Sequence, residues 1–280
     1  MKILFIGCGD IAQRTAALLG GHQCTGIKRN PQHLPKNIDP IAADVTDAEQ
    51  LQSVAKRGFD IWIATLTPPE FSEQGYRDSY LAAANSILDV ASRIENAPQL
   101  ILWVSSTSVY GDFSGAWVDE CSKPVPEKFS GKILLQAEQA IQQVSCCNSI
   151  VRFSGIYGRG RSRLIDQVLA GKGRPESPEQ WSNRIHSDDC AGILAYLVEQ
   201  FIDGQALDPI YLGSDSQPIT QHQLRKWLSE QLSVDLIEEQ AKPSASRRCS
   251  NQRLLDSGYC FKYPSYREGY LELLTNRAAK

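Results

Sequence analysis

The first twelve residues constrain the fold of this chain more than any other stretch. Lys2 to Ile6 is an apolar run of strand length, broken at Gly7 and Gly9, and helix-forming residues follow from Asp10. A strand, a glycine turn and a helix, with a third small residue at Ala12, are the setting a G-x-G-x-x-A dinucleotide turn requires. Gly7 permits the tight turn, Gly9 lets the backbone approach a pyrophosphate, and Ala12 lets the helix pack on its strand. The free N–H groups and positive dipole end of the helix, at Asp10 and Ile11, would then meet the phosphates. Buried strand–turn–helix corners also carry glycine for packing alone, so the motif needs its context.

That context is supplied further along. FDIWIA (59–64) and QLILWV (99–104) are continuous apolar runs, as expected of parallel strands buried on both faces. Further strands are expected at 22–27, 40–43, 149–153 and 210–212. Helices are expected at 10–19, from a Thr46 or Asp47 cap to 56, at 73–95 and at 130–144. The alternation predicts an α/β fold, a Rossmann-type doubly wound parallel sheet with right-handed crossovers. Beyond Ser154 it fades into a Gly/Arg-rich stretch (157–163), a polar, Pro-bearing one (171–182) and helices at 187–201 and 220–232. The reading is a dinucleotide-binding core at 1–155, to which 186–213 returns. Residues 156–185 and 214–280 are left for a small C-terminal substrate lobe.

Bulk properties exclude several classes. The 280 residues are 42% hydrophobic and 22% charged, enough for a sizeable core. A formal net charge of −3 gives no basic field for nucleic acid. No charged leader precedes an apolar run, and no stretch nears the ~20 apolar residues of a membrane span. The eight cysteines show no C-x-x-C and no His-interleaved spacing, which suits reduced, mostly buried thiols rather than disulfides or a metal site. The expectation is a cytoplasmic protein with a small-molecule partner, without membrane or nucleic-acid contact.

About 20 residues after the glycine turn, where an acid would bind a ribose 2′-hydroxyl, Lys28 and Arg29 stand instead. A carboxylate repels a 2′-phosphate and a guanidinium binds it bidentately, so NADP is expected, with NAD as the alternative. Two adjacent cations also suit a plain solvated loop. Asp44 and Val45, at the end of the third strand, either hold an adenine edge or form an Asx-type turn. Thr65 and Ser105, at or near the ends of the two apolar runs, complete the cofactor set. VSSTSVYGD (104–112) places four consecutive hydroxyl residues at the carboxyl end of a buried strand, where ligands of open α/β sheets bind. Arg159, Arg161 and Arg163 suit either a substrate phosphate or a solvated loop.

GCGDIA, Asp44-Val45, SSTSVYGD, GKILLQAEQAI, VRFSGIYGRGR (151–161) and NRIHSDDCAGI (183–193) together resemble an extended or atypical short-chain dehydrogenase/reductase of the NAD-dependent epimerase/dehydratase family. The resemblance spans residues 1 to about 213. It implies that Ser106 hydrogen-bonds the reacting oxygen and that Lys132 is the lysine of a Tyr-x-x-x-Lys pair, holding the nicotinamide ribose. Lys128 stands where the tyrosine of that pair would be, beside Phe129. Tyr157, and after it Tyr110, are the phenols left to serve as acid, although buried tyrosines usually anchor cores. Thr107-Ser108 replaces the Asp-Glu pair of sugar dehydratases, which argues against dehydration. His186-Ser187-Asp188-Asp189 matches the family's I-H-x-x-D element, and equally a helix start capped by Ser187.

The resulting expectation is NAD(P)-dependent oxidoreductase or epimerase chemistry on a sugar-like or nucleotide-linked substrate. Ser106, Lys132 and Tyr157 are its catalytic candidates, in a chain that could dimerise through its two long helices. The alternative is a cofactor-binding sensor or partner-binding protein without turnover. A Rossmann-like methyltransferase is a third reading, opposed by SSTSVYGD and IYGRGR.

Overall fold

The computed structural model describes residues 1–239 and 245–278. Of the lobe expected at 214–280, residues 240–244 and 279–280 thus lie outside the described residues. The chain opens with β1 (Lys2–Ile6), α1 (Asp10–Leu18), β2 (Gln23–Lys28), β3 (Ile38–Ala42), α2 (Ala48–Ala55) and β4 (Ile61–Ala64). It continues with α3 (Glu73–Tyr76), α4 (Ala82–Arg93), β5 (Leu100–Ser106), β6 (Trp117–Val118), α5 (Phe129–Ile141) and β7 (Cys147–Phe153). Then come β8 (Gly155–Tyr157), α6 (Arg163–Leu169), β9 (Trp181–Ser182), β10 (Arg184–His186), α7 (Ser187–Ile202) and β11 (Ile210–Gly213). Last are β12 (Ile219–Thr220), α8 (Gln221–Leu232), β13 (Arg248–Cys249), α9 (Gln252–Asp256) and α10 (Tyr266–Ala278).

The apolar runs become the centre of a seven-stranded parallel sheet in the order β3-β2-β1-β4-β5-β7-β11. β1 pairs with β2 on one side and β4 on the other, with Ile6 opposite Ile27 and Ala64. The chain winds outward from β1 to β3 and then returns to β4. The carboxyl ends of β1 and β4 therefore flank the point where the winding reverses, the place such sheets use for ligands. Trp62 and Trp103 are fully buried in the core beside Leu4, Ile87, Ile101 and Ile141. Asp47 caps α2, its carboxylate accepting from the N–H groups of Glu49 (3.0 Å) and Gln50 (3.2 Å). The helix expected at 73–95 is corrected in one respect: a π-turn at Arg77–Leu81 joins α3 to α4. Tyr76 lies against Tyr80 there, with ring centroids 5.3 Å apart.

The chain divides into two compact units. The first comprises Met1–Val109, Pro126–Arg152 and Cys190–Tyr211. The second comprises Tyr110–Val125, Phe153–Asp189 and the described residues of Leu212–Lys280. Tyr110–Val125, expected with the core, goes with the second unit because its backbone bonds are made there. β6 pairs with β13, and the Asp112 carboxylate accepts from the Ser246 N–H at 2.9 Å.

Within the first unit, a buried polar network joins three elements. Arg152 on β7 donates to Glu138 on α5 through Nη2 (2.6 Å) and Nε (3.1 Å), and the Ser105 hydroxyl on β5 donates to the same carboxylate at 2.5 Å. All three side chains are buried. Removing one partner strands the other charge, so Glu138→Ala should lower stability by about 3–5 kcal/mol in a denaturant titration. A loss below about 1 kcal/mol, the level of an exposed pair, would show that the pair is not desolvated.

The second unit is built round Tyr157, Ile165, Val168, Leu228, Tyr266 and Tyr270. Asp189 latches its C-terminal part, accepting from the Lys262 N–H (2.7 Å), the Tyr263 N–H (3.0 Å) and the Tyr259 hydroxyl (3.1 Å). Asp215 is 1% exposed; it accepts from the Gln217 N–H, while its Oδ2 has no partner among the described residues. Burial first, with help from Asp189 and Glu268 and against Gln217 and Arg184, pushes its carboxyl up to about 8. The folded state thus holds a proton that the unfolded chain releases near pH 4. Stability should fall as pH rises from about 4 to about 8 and then level off. Asp215→Asn, neutral throughout, should flatten that part of the stability–pH curve. An unchanged slope in the variant would assign it elsewhere.

Candidate functional site

The glycine turn of the first unit is built for close approach. Gly7 has φ +80°, and a Cβ there would lie 2.8 Å from Leu66 Cδ2 and 3.2 Å from the Thr65 carbonyl oxygen. The Thr65 hydroxyl donates to the Gly7 carbonyl at 2.6 Å, so this residue, expected at the cofactor, fixes the turn itself. Gly9 is the N-cap of α1, with no side-chain cap bond and nothing within 4 Å of its Cβ position. The space before the first turn of α1 is therefore open at Gly9, on the side of a helix N-terminus where anions bind. Ala12 is fully buried against the core, as close helix–strand packing requires. The Asp10 side chain pairs with Arg14 at 2.8 Å, one turn on.

At the end of β2, Lys28 and Arg29 are both exposed. The Asp44 carboxylate forms an Asx turn, accepting from the Thr46 N–H (3.0 Å) and hydroxyl (2.8 Å), and Val45 beside it is buried. Of the readings open for Asp44, its side chain takes the turn. Ser105 is a correction: its hydroxyl is bound to Glu138, because α5 carries a buried carboxylate opposite the end of β5.

Ser106 is the half-buried last residue of β5, and its Oγ accepts from the Ser108 N–H at 3.2 Å. Gly131 lets the first turn of α5 press on this serine-rich turn, since a Cβ there would overlap the Ser108 carbonyl oxygen and sit 2.8 Å from Pro126 Cβ. Lys132 follows directly and is exposed. Lys128 is the exposed N-cap of α5, while Phe129 is held by Phe71 (5.2 Å) and by Tyr76 (5.6 Å). β5 and α5 thus bring the surroundings of Ser106 and Lys132 together within one unit.

Tyr157 lies in the second unit and is 2% exposed. Its ring stacks on Tyr270 at 4.3 Å and meets His186 edge-on at 5.3 Å, and its hydroxyl fits against Gly269, where a Cβ would overlap it. Burial, reinforced by Asp215, raises the phenol far above its ordinary value. As a candidate acid Tyr157 is corrected to a packed core residue. Ser187 does not cap α7: its hydroxyl is buried beside Gly158 and unbonded among the described residues. Asp188 pairs with Lys262 (2.8 Å).

The arginine cluster divides. Arg159 reaches Glu272 at 3.6 Å, whereas Arg161 and Arg163 share a cavity of about 770 Å³ with Arg174, Arg184 and Arg225. Arg174 and Arg225 escaped sequence reasoning because they are dispersed along the chain outside any motif, while Arg184 stands within NRIHSDDCAGI, where attention fell on the histidine and the acids. Glu138 and Arg152 did leave a signal, as lone charges inside the otherwise uncharged LLQAEQAI and SIVRF.

Among the described residues, no helix is long and apolar enough to cross a membrane. Compared with known proteins, the chain is 31% identical over 213 residues to "Protein YeeZ" of Escherichia coli (strain K12), covering 71% of this chain and 73% of that one. It is 34% identical to a candidate NAD-dependent epimerase/dehydratase from Methylobacillus flagellatus, with a TM-score of 0.85 over 99% of this chain and 98% of that one. A UDP-glucuronic acid 4-epimerase from Bacillus cereus, solved with UDP-glucuronic acid and NAD, shares the fold at 19% identity, with a TM-score of 0.80 over 96% of each chain. The model of the RmlD substrate binding domain family matches residues 1–276. The chain belongs to that family, among folds of the extended short-chain dehydrogenase/reductase superfamily.

Proposed function

We propose that this chain binds NADP, with NAD as the alternative, and uses it in oxidoreductase or epimerase chemistry on a sugar-like or nucleotide-linked substrate. The observation that carries the reading is the turn at Gly7 and Gly9: a tight, hydroxyl-braced bend with open space where a side chain at Gly9 would stand. The residues present fit a dinucleotide. A side chain at Gly7 would collide with Leu66, and one at Gly9 would fill the open space before the helix. The backbone N–H groups at the start of α1, at Asp10 and Ile11, hold the pyrophosphate. Lys28 and Arg29 stand where a 2′-phosphate is met, without a carboxylate to repel it. Asp44 and Val45 border the adenine side.

When bound, the nicotinamide supplies hydride transfer. Ser106 polarises the substrate oxygen, and Lys132 orients the ribose. A second reading rests on one residue: Lys128, exposed at the head of α5, occupies the place of the resembled family's tyrosine. Without a phenol there the chain acts as a dinucleotide sensor or partner-binding module.

Titration with NADPH and NADH, followed by nicotinamide fluorescence, tests the cofactor. NADPH should bind more tightly, and Arg29→Ala should weaken it by about 1–3 kcal/mol, the scale of a charge-assisted contact. Equal affinities would overturn the NADP choice, and binding of neither would overturn the reading altogether. Turnover on a panel of nucleotide sugars separates the enzyme from the sensor. In the enzyme, Ser106→Ala should cut the rate about 100-fold with NADPH affinity kept, while Tyr157→Phe should leave the rate unchanged. A large loss in Tyr157→Phe would restore that phenol as the acid.

A further inference from the structure

We propose that the second unit carries a polyanion site, walled by Arg161, Arg163, Arg174, Arg184 and Arg225, for a ligand bearing a terminal diphosphate or two phosphomonoesters. The cavity holds about 770 Å³, within the range of about 300–1,000 Å³ typical of small-molecule sites. Among the described residues its lining has five guanidinium groups and one carboxylate, Glu239, which pairs with Arg174 at 3.0 Å.

Arg225 shows most clearly that the charge is unmet. It is 4% exposed, and its Nη atoms donate to neutral acceptors, the Lys172 carbonyl (2.9 Å) and Gln167 Oε1 (2.7 Å). Its Nε is buried without a partner among the described residues, as is the Nε of Arg184. Burial, together with Arg174 and Arg184, pulls the Arg225 guanidinium down to about 10. A cation held this way costs free energy until an anion enters.

The chemistry of the wall selects the ligand. Guanidinium forks match phosphate oxygens bidentately. A phosphodiester carries about one negative charge per phosphate, so the linkage of a nucleotide sugar brings about two. A phosphomonoester carries about 1.5–2, so a terminal diphosphate or a bisphosphate better matches a lining in which guanidinium groups outnumber carboxylates. Every wall residue belongs to the second unit, so the inference stands whether or not a dinucleotide binds the glycine turn of the first.

Isothermal titration of the full chain with inorganic pyrophosphate is the test, with Arg184→Gln, Arg163→Gln and Gly9→Asp as variants and inorganic phosphate and UDP-glucose as comparison ligands. Wild type should bind one pyrophosphate saturably, more tightly than inorganic phosphate or UDP-glucose. Each arginine variant should weaken binding about tenfold or more, the size of one charge-assisted contact. Gly9→Asp, which disturbs only the first unit's turn, should leave it unchanged. Arg163 is exposed, so its replacement tests the site without disturbing the core. The proposal is overturned if pyrophosphate does not bind, or if both arginine variants bind it as wild type does. It is overturned equally if Gly9→Asp abolishes binding, or if UDP-glucose binds more tightly than pyrophosphate. NADPH binding measured on the same variants is a separate readout: its loss touches the reading of the first unit alone.

Discussion

A carboxylate and a guanidinium, both withdrawn from water, hold the working edge of the first unit in place. Glu138 receives two donors from Arg152 and a third from Ser105, so β5, α5 and β7 are tied at one point. A buried ion pair of this kind contributes little net stability compared with an apolar substitute, but its geometry is demanding. The demand falls on the two elements that carry Ser106 and Lys132. α5 must keep the rotation that presents Glu138 inward, and that rotation leaves Lys132 outward. The approach of Gly131 to the Ser108 carbonyl sets the same helix at its other end. Two contacts, about two turns apart on α5, therefore set the helix against the serine-rich turn.

What could be read from the sequence followed from periodicity and from residues with special backbone needs. FDIWIA and QLILWV have one comfortable place, the middle of a parallel sheet, and the order of strands and helices then leaves little freedom in topology. Gly7 was legible for the same kind of reason: only a residue without Cβ fits beside Leu66 at φ +80°. Local polar partners were not legible. Ser105 looked like a ligand-facing hydroxyl because nothing in the sequence says that Glu138, thirty-three residues on, points at it. Tyr157 was a candidate acid because the resemblance left it as a phenol where Lys128 replaces the tyrosine. What buries it comes from α10, more than a hundred residues away, through Tyr270 and the gap at Gly269. The π-turn at Arg77–Leu81 escaped because helix propensity is indifferent to one added residue in a turn.

The second unit contains a contrast that bears on what it is for. Arg152, in the first unit, is buried and neutralised by Glu138; Arg225, nearly as buried, donates among the described residues to a carbonyl and an amide oxygen and to no carboxylate. If packing were the only requirement, an apolar side chain of similar length would serve the core of α8 better than an unmatched cation, since replacing buried ions by apolar residues is commonly neutral or stabilising. Arg184 and Arg174 sharpen the point, because each added cation in the same cavity raises the cost of the others. Tyr157 and Tyr270 line the same cavity with aromatic surface, which supplies no carboxylate for the guanidinium charge. A wall of this composition is stable only because the rest of the unit carries it, through the apolar packing of α6, α8 and α10 and the latch at Asp189. Stored electrostatic strain of this kind is the usual mark of a site organised for an ion the fold does not itself provide.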